Sequence, residues 1–187
     1  LRRVVPPHRP VVTVRADLHN HSCLSPCGDL YASPLSMAQT AAERGINMMA
    51  LTDHNSARNA PAFYDACRRV GVLPLFGIEV TSREEVHLLS LFEEAGEALS
   101  FGEWVYDRLP DIPNDPERFG DQVVVDVDEV ILDEVTKFLL PAIDADIDEI
   151  EGEVHRRAGL FIPAHVDRSS YSMVSQLGFL PPGNYDA

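Results

Sequence analysis

Asp17-Leu18-His19-Asn20-His21 follows an apolar run that begins at Val11, and how this string is read decides the fold. The same grammar returns in Leu51-Thr52-Asp53-His54-Asn55, Gly77-Ile78-Glu79-Val80, Val86-His87-Leu88 and Pro163-Ala164-His165-Val166-Asp167. Each reads as an apolar strand ending in a side chain able to ligate a metal. Amphipathic stretches with helix punctuation lie between them. Ser33 as N-cap and Pro34 at the first position open one helix, which Gly45 closes after Arg44. Pro61 opens a second, ending at Gly71 after Arg68 and Arg69. Ser100–Leu109 predicts a third helix. Asp148–Ala158 predicts a fourth, with acid at its start, arginines at its end and Gly159 behind it. The strands are expected at Val11–Leu18, Ile46–Leu51, Val72–Ile78, Val86–Phe92 and Leu160–Ala164. Strands alternating with helices predict parallel β/α architecture. Strands buried on both faces should be nearly continuous in apolar residues, and these are.

The chain's 187 residues allow one domain with a buried core. Its 45% hydrophobic and 24% charged content is that of an ordinary soluble protein. No apolar run approaches the roughly 18 residues of a membrane span. LRRVVPPHRP at the N-terminus lacks the long apolar stretch of a signal peptide. A soluble, cytoplasmic protein with no membrane contact is expected. Cys23 and Cys27 are close enough to suggest a metal pair, but two cysteines without partners make a weak signal. Together with Cys67 they are read as inert thiols rather than a disulfide framework.

The net charge of -15 is unevenly placed. Asp111–Glu153 holds 15 acidic residues against Arg118 and Lys137, while the remainder is nearly neutral. Such a patch repels a phosphate backbone, so extended nucleic-acid binding is not expected. A solvated acidic face is the simpler reading. Asp111–Asp146 also breaks the strand–helix rhythm, with Pro110, Pro113 and Pro116 near its start. It is expected to be an insertion, with a short hairpin at Val123–Val125.

Side chains two apart on a strand point the same way, which turns His19 and His21 in one direction with Asp17 behind them. In a barrel the C-terminal strand ends converge on one mouth. Imidazoles and a carboxylate gathered there suit Zn, Mn or Fe. Taken singly, each residue has a harmless explanation as a core histidine or a helix-start acid. The combination is harder to dismiss, because five of the seven histidines read as falling at the C-terminal ends of apolar runs. His8, in a proline-rich arm, and His155, among helix charges, read as solvated.

These residues carry a family resemblance. DLHNHS at Asp17–Ser22 resembles the first motif of the PHP (polymerase and histidinol phosphatase) superfamily, and LTDHN at Leu51–Asn55 the second. GIEVTS at Gly77–Ser82 is similar to the glutamate motif, and PAHVDR at Pro163–Arg168 to the third. The resemblance implies a distorted TIM-like (β/α)7 barrel holding two or three divalent metal ions. It implies that His19 and His21 bind one ion, that Glu79 bridges to a second completed by His87 and His165, and that His54 belongs to a third. The family's first motif usually continues to an acidic residue or histidine on the third ion. Here Asp29 is the candidate, after a longer stretch than usual. Asp17 and Asp53 are expected to orient the histidines.

The family also closes its site with a late Asp-x-His motif, and no histidine follows His165. A barrel incomplete at its C-terminus is therefore expected. A piece of a longer protein is the preferred explanation, and a reduced member with a weaker site the other. The implied activity is hydrolysis of a small phosphomonoester or nucleotide by a metal-bridged hydroxide. Glu79 would stand at the reaction centre, and Arg168 would hold the phosphate with a fork that matches its oxygens. Arg58 is a weaker candidate that reads better as a surface arginine. The alternative is a catalytically reduced domain serving as a structural or protein-interaction module, with the acidic insertion as a partner surface. Metal-dependent C–N hydrolysis has little support, because the one lysine, Lys137, lies in the insertion. A serine hydrolase has less, since no Gly-x-Ser-x-Gly elbow occurs.

Overall fold

A computed structural model describes residues 13–187. The expectations for His8 and the first residues of the N-terminal apolar run lie outside this range. Within it, β1 is short (Ala16–Asp17) and leads through an irregular segment to α1 (Pro34–Glu43). The Ser33 side chain accepts the Ser36 N–H at 3.1 Å, and Pro34 stands in the first turn, so α1 begins where the punctuation predicts. β2 (Met48–Leu51) and α2 (Ala60–Val70) follow. Gly71 ends α2 in the left-handed region at φ 77°, a conformation that favours glycine. Then come β3 (Leu73–Thr81), β4 (His87–Phe92) and α3 (Ala95–Tyr106). The acidic stretch carries α4 (Pro116–Phe119), β5 (Val123–Val125) and β6 (Ile131–Glu134). α5 (Ile147–Arg156) opens with a capping box of Asp146 and Glu149, and β7 (Leu160–Pro163) and α6 (Met173–Leu177) close the order.

Five strands make one sheet in the order β1-β2-β3-β4-β7. β1, β2 and β3 run parallel, as expected, with Ala16 opposite Met48 and Leu51 opposite Phe76. β4 corrects the all-parallel expectation. It runs antiparallel to β3, from Phe76 opposite Phe92 to Thr81 opposite His87, and antiparallel to β7. The connection explains the reversal. Only residues 82–86 separate the two strands, whereas a parallel crossover needs a dozen or more residues. The fold is thus α/β, with a sheet curled like part of a barrel and helices packed on it. In place of seven β/α units, the described residues put five strands in this sheet, and β5–β6 form a separate hairpin.

The core is one cluster that includes Phe63 of α2, Ile78 of β3, Leu88 of β4, Phe101 of α3 and Phe161 of β7, all fully buried. Each such side chain contributes roughly 1.5–3 kcal/mol by leaving water. The acidic stretch forms the expected hairpin at Val123–Val125, but those valines are buried rather than solvated. Asn59 fixes the hairpin, donating to the Val123 carbonyl at 3.3 Å and accepting the Val125 N–H at 3.0 Å. Part of the acidity is paired locally, Asp133 with Arg58 at 2.7 Å and Asp128 with Arg69 at 2.8 Å.

Candidate metal centre

Glu79 lies in β3 and is 2% exposed, yet five imidazoles reach its carboxylate. His19 Nε2 is 3.0 Å, His87 Nδ1 3.0 Å and His165 Nε2 3.2 Å from Oε1. His21 Nε2 is 3.2 Å and His54 Nδ1 3.3 Å from Oε2. The rings also close a circuit around that carboxylate. Centroid separations are 5.2 Å for His19–His21, 4.5 Å for His21–His54, and 5.2 Å for both His54–His87 and His87–His165, with 5.9 Å from His165 back to His19.

Local backbone explains the convergence. His19 and His21 lie beyond β1, so strand alternation does not hold them. Asn20 between them does. Its N–H donates to Thr52 Oγ1 at 3.0 Å, its carbonyl accepts the Thr52 N–H at 2.8 Å, and its amide donates to Asp17 Oδ1 at 3.0 Å. His54 follows β2, held beside β3 because Glu79 N–H donates to the Asp53 carbonyl and Asn55 N–H to the Glu79 carbonyl, each at 3.1 Å. His87 begins β4 rather than ending an apolar run. The reversal of that strand is what brings it to the rim where β3 ends. His165 follows β7 at φ 29°, a backbone conformation costly for a non-glycine residue and held by its surroundings.

Asp53 is fully buried and accepts the Ser22 N–H at 2.6 Å, Ser22 Oγ at 2.7 Å and Ser25 Oγ at 2.7 Å. Ser25 Oγ in turn lies 3.2 Å from His21 Nδ1 and accepts the His54 N–H at 3.0 Å. A carboxylate thereby orients the His21 imidazole and anchors the His54 backbone through one hydroxyl. Burial pushes the Asp53 carboxyl upward, against the hydrogen bonds from Ser25 and Ser22. Burial also works to raise Glu79, but hydrogen bonds from His19, His21 and His87 outweigh it and hold that carboxyl well below its usual range. Burial lowers His54 to about 3 despite the attraction of Glu79. It lowers His165 too, with His87 and Arg168 adding to the effect. Deprotonated His54 and His165 imidazoles beside an ionised Glu79 carboxylate are the protonation states that cations require.

The donor chemistry fits a divalent metal. Nitrogen and carboxylate ligand atoms gather within 4.8 Å in two sets, His19 with His21 and Glu79, and His54 with Glu79 and His87. His54 Nδ1 and His165 Nδ1 are buried without a hydrogen-bond partner. Such orphaned atoms are uncommon unless a ligand takes them.

Six of the expected residues, His19, His21, His54, Glu79, His87 and His165, therefore meet. Asp29 is outside these groups: it is exposed, and its carboxylate accepts the Tyr31 N–H at 2.8 Å. Arg168 is exposed beside His165, donating its N–H to the His165 carbonyl at 2.9 Å. Arg58 is tied to Asp133, in line with its reading as a surface arginine. Lys137 donates to the Leu109 carbonyl at 3.3 Å and is not among the groups. His155 is not merely solvated, since Asp186 Oδ2 lies 2.9 Å from its Nε2 and also accepts the Phe161 N–H at 2.8 Å. Ser25 and Tyr171 escaped the sequence reading, and Cys27 reads there as an inert thiol. Ser25 carries no signal there. Tyr171 stacks on His87 at 4.6 Å and 15°, and accepts the His87 N–H at 2.9 Å through its carbonyl. Cys27 forms a group within 4.8 Å with His21 and His54, and its spacing from the histidines was the available clue.

Fold and site together define an α/β domain whose strand rim carries a histidine–carboxylate centre suited to divalent ions. The chain belongs to the PHP domain family, whose profile matches residues 17–171. It is 38% identical over 65 residues to a DNA polymerase III PolC-type from Thermotoga petrophila, covering 35% of this chain and 5% of the polymerase. It is 34% identical over 85 residues to a phosphoribosyl 1,2-cyclic phosphate 1,2-diphosphodiesterase from Eggerthella lenta, covering 43% of this chain and 31% of that enzyme. The matches thus span under a third of either relative's length. Among solved structures, the lesion-specific endonuclease PfuEndoQ from Pyrococcus furiosus superposes with a TM-score of 0.62 at 18% identity, over 89% of this chain and 38% of that one. At that identity the likeness concerns the fold. Among the described residues no helix is long and apolar enough to cross a membrane.

Proposed function

We propose that this chain is a metal-dependent phosphoester hydrolase acting on a small phosphomonoester or a nucleotide. One observation carries the reading: five imidazoles converge at 3.0–3.3 Å on a single buried carboxylate. His19, His21, His54, Glu79, His87 and His165 would hold two or three ions. Divalent ions held there would lower the pKa of water so that a nucleophile for phosphorus is available near neutral pH, and would offset charge on the phosphoryl oxygens. The chain's own groups do the rest. Glu79 keeps a negative charge where cations must collect. Asp53 and Ser25 hold His21 and His54 in place, and Tyr171 holds the plane of His87. Arg168, exposed next to His165, can receive phosphate oxygens in a bidentate fork.

The acidic stretch favours a small substrate over a long polyanion, since a phosphate backbone laid across it would be repelled. A nucleic-acid substrate is the competing arm, supported by the structural likeness to an endonuclease. An ion-poor interaction module is the other alternative. The test is phosphate release from p-nitrophenyl phosphate and a nucleotide panel, with single-stranded and duplex DNA in parallel, in the presence of Mn or Zn. Turnover of the small esters that disappears in His19→Ala and Glu79→Ala is expected. Full activity after exhaustive EDTA treatment would contradict the proposal, and cleavage of DNA alone would replace the substrate class.

A further inference from the structure

We infer that Cys27 joins His21 and His54 in a thiolate–imidazole ion site beside Glu79, giving the centre a preference for zinc-class ions over magnesium. This rests on the metal-dependent reading above and adds a sulfur ligand to it. The three ligand atoms lie within 4.8 Å of one another. The loop geometry accounts for their meeting. Ser25 N–H donates to the Ser22 carbonyl at 3.0 Å and Gly28 N–H to the Ser25 carbonyl at 2.7 Å, winding the segment into consecutive turns. A Cβ on Gly28 would stand 2.2 Å from the Ser22 carbonyl oxygen, so the close approach requires glycine. These turns return the chain to the centre at Cys27, while Asp29 turns its carboxylate to the Tyr31 N–H at 2.8 Å.

A second, independent observation comes from His54. Its side chain is only 7% exposed and its Nδ1 has no hydrogen-bond partner, although Glu79 is near. A coordinated cation would satisfy a buried imidazole nitrogen in that state. Cys27 also differs from the other two thiols. Cys23 and Cys67 are buried, whereas Cys27 is exposed. Sulfur with imidazole nitrogen is a donor set for Zn, Co or Fe, while Mg prefers oxygen and retained water. As the sulfur–metal bond forms, the Cys27 thiol proton leaves to solvent.

The test uses the full chain stripped by chelator and titrated with Co(II), followed by near-ultraviolet absorption and ion counting. A thiolate-to-cobalt charge-transfer band is expected for the wild type and for Cys67→Ser. In Cys27→Ser the band should vanish and one ion per chain should be lost. Cys27→Asp should lose the band while keeping the ion. Ions bound without a band, or a band that survives Cys27→Ser, would overturn the role of Cys27 and leave the metal-dependent reading intact. No ion binding at all would overturn both. Should Cys27→Ser fail to fold, the wild-type band together with protection of Cys27 from alkylation by bound Zn decides the matter, and an unprotected Cys27 counts against it.

Discussion

Ser25 Oγ touches three partners that no sequence pattern links: Asp53 at 2.7 Å, His21 Nδ1 at 3.2 Å and the His54 N–H at 3.0 Å. Removing the hydroxyl in Ser25→Ala frees the His21 imidazole to reorient, leaves the His54 backbone N–H without its acceptor and leaves a buried carboxylate with one donor fewer. Ion affinity is expected to fall about 10–100-fold, the usual cost of losing a group that orients metal ligands. Isothermal titration with Zn reads this, and unchanged affinity would remove Ser25 from the scheme. His54 supplies a pH prediction for the metal-free protein. Burial lowers its pKa from 6.5 to about 3, so the unfolded chain takes up a proton first as pH falls. The stability of the wild type relative to His54→Gln should therefore be greatest above pH 6.5 and shrink as pH falls toward about 3. Asp53, raised by burial, titrates with the opposite sign in both proteins and cancels in the difference. Urea unfolding across that range checks it, and a flat difference would contradict the account. At this scale the meeting of the histidines on Glu79 was legible, because histidines at successive strand boundaries are hard to explain otherwise. Ser25 and Tyr171 were not, because serine is ordinary in turns and the contact of Tyr171 exists only once the loops fold back, while Cys27 was visible near the histidines but read as an inert thiol.

At the scale of elements, helix limits could be read wherever a side chain or a glycine enforces them. Ser33 caps α1 and Gly71 ends α2 as the punctuation predicts. α3 begins at Ala95, ahead of the expected Ser100, and Glu94 at its N-cap makes no side-chain capping bond that would mark the start. The direction of β4 was missed because an apolar run looks the same read either way. The short connection at residues 82–86 was the overlooked evidence. The β3–β4 pair is also where the scaffold tolerates least. A Cβ on Gly77 would lie 2.5 Å from the Ser90 carbonyl oxygen and 2.8 Å from the Leu91 side chain. Gly77→Ala must push the strands apart next to Glu79, at a cost of about 1–3 kcal/mol. The expected signature is a lower urea midpoint together with weaker ion binding. A variant as stable as the wild type would show that the pair is looser than this geometry.

Across the whole molecule, residues far apart in sequence become one site because the sheet delivers them to a common rim. β1, β2 and β3 bring the segments of His19, His21, His54 and Glu79 there in parallel, and the reversed β4 brings His87 back to meet His165 after β7. The acidic stretch then lies against α2 and the residues that lead into it, through Arg58, Asn59 and Arg69. Exposed ion pairs of this kind add only about 0–1 kcal/mol each, so the Asn59 hydrogen bonds and buried valines hold the hairpin. Composition alone suggested a solvated loop, because pairing partners in α2 are invisible until the chain is folded. The central claim concerns ions at the rim, and anomalous diffraction from crystals grown with Zn, recorded on either side of the metal edge, tests it most directly. The account predicts at least two peaks within about 2.0–2.2 Å of imidazole nitrogens from the five-histidine circuit, one of them also bonded to Glu79. Crystals with full Zn in solution and no anomalous peak among those side chains would contradict it.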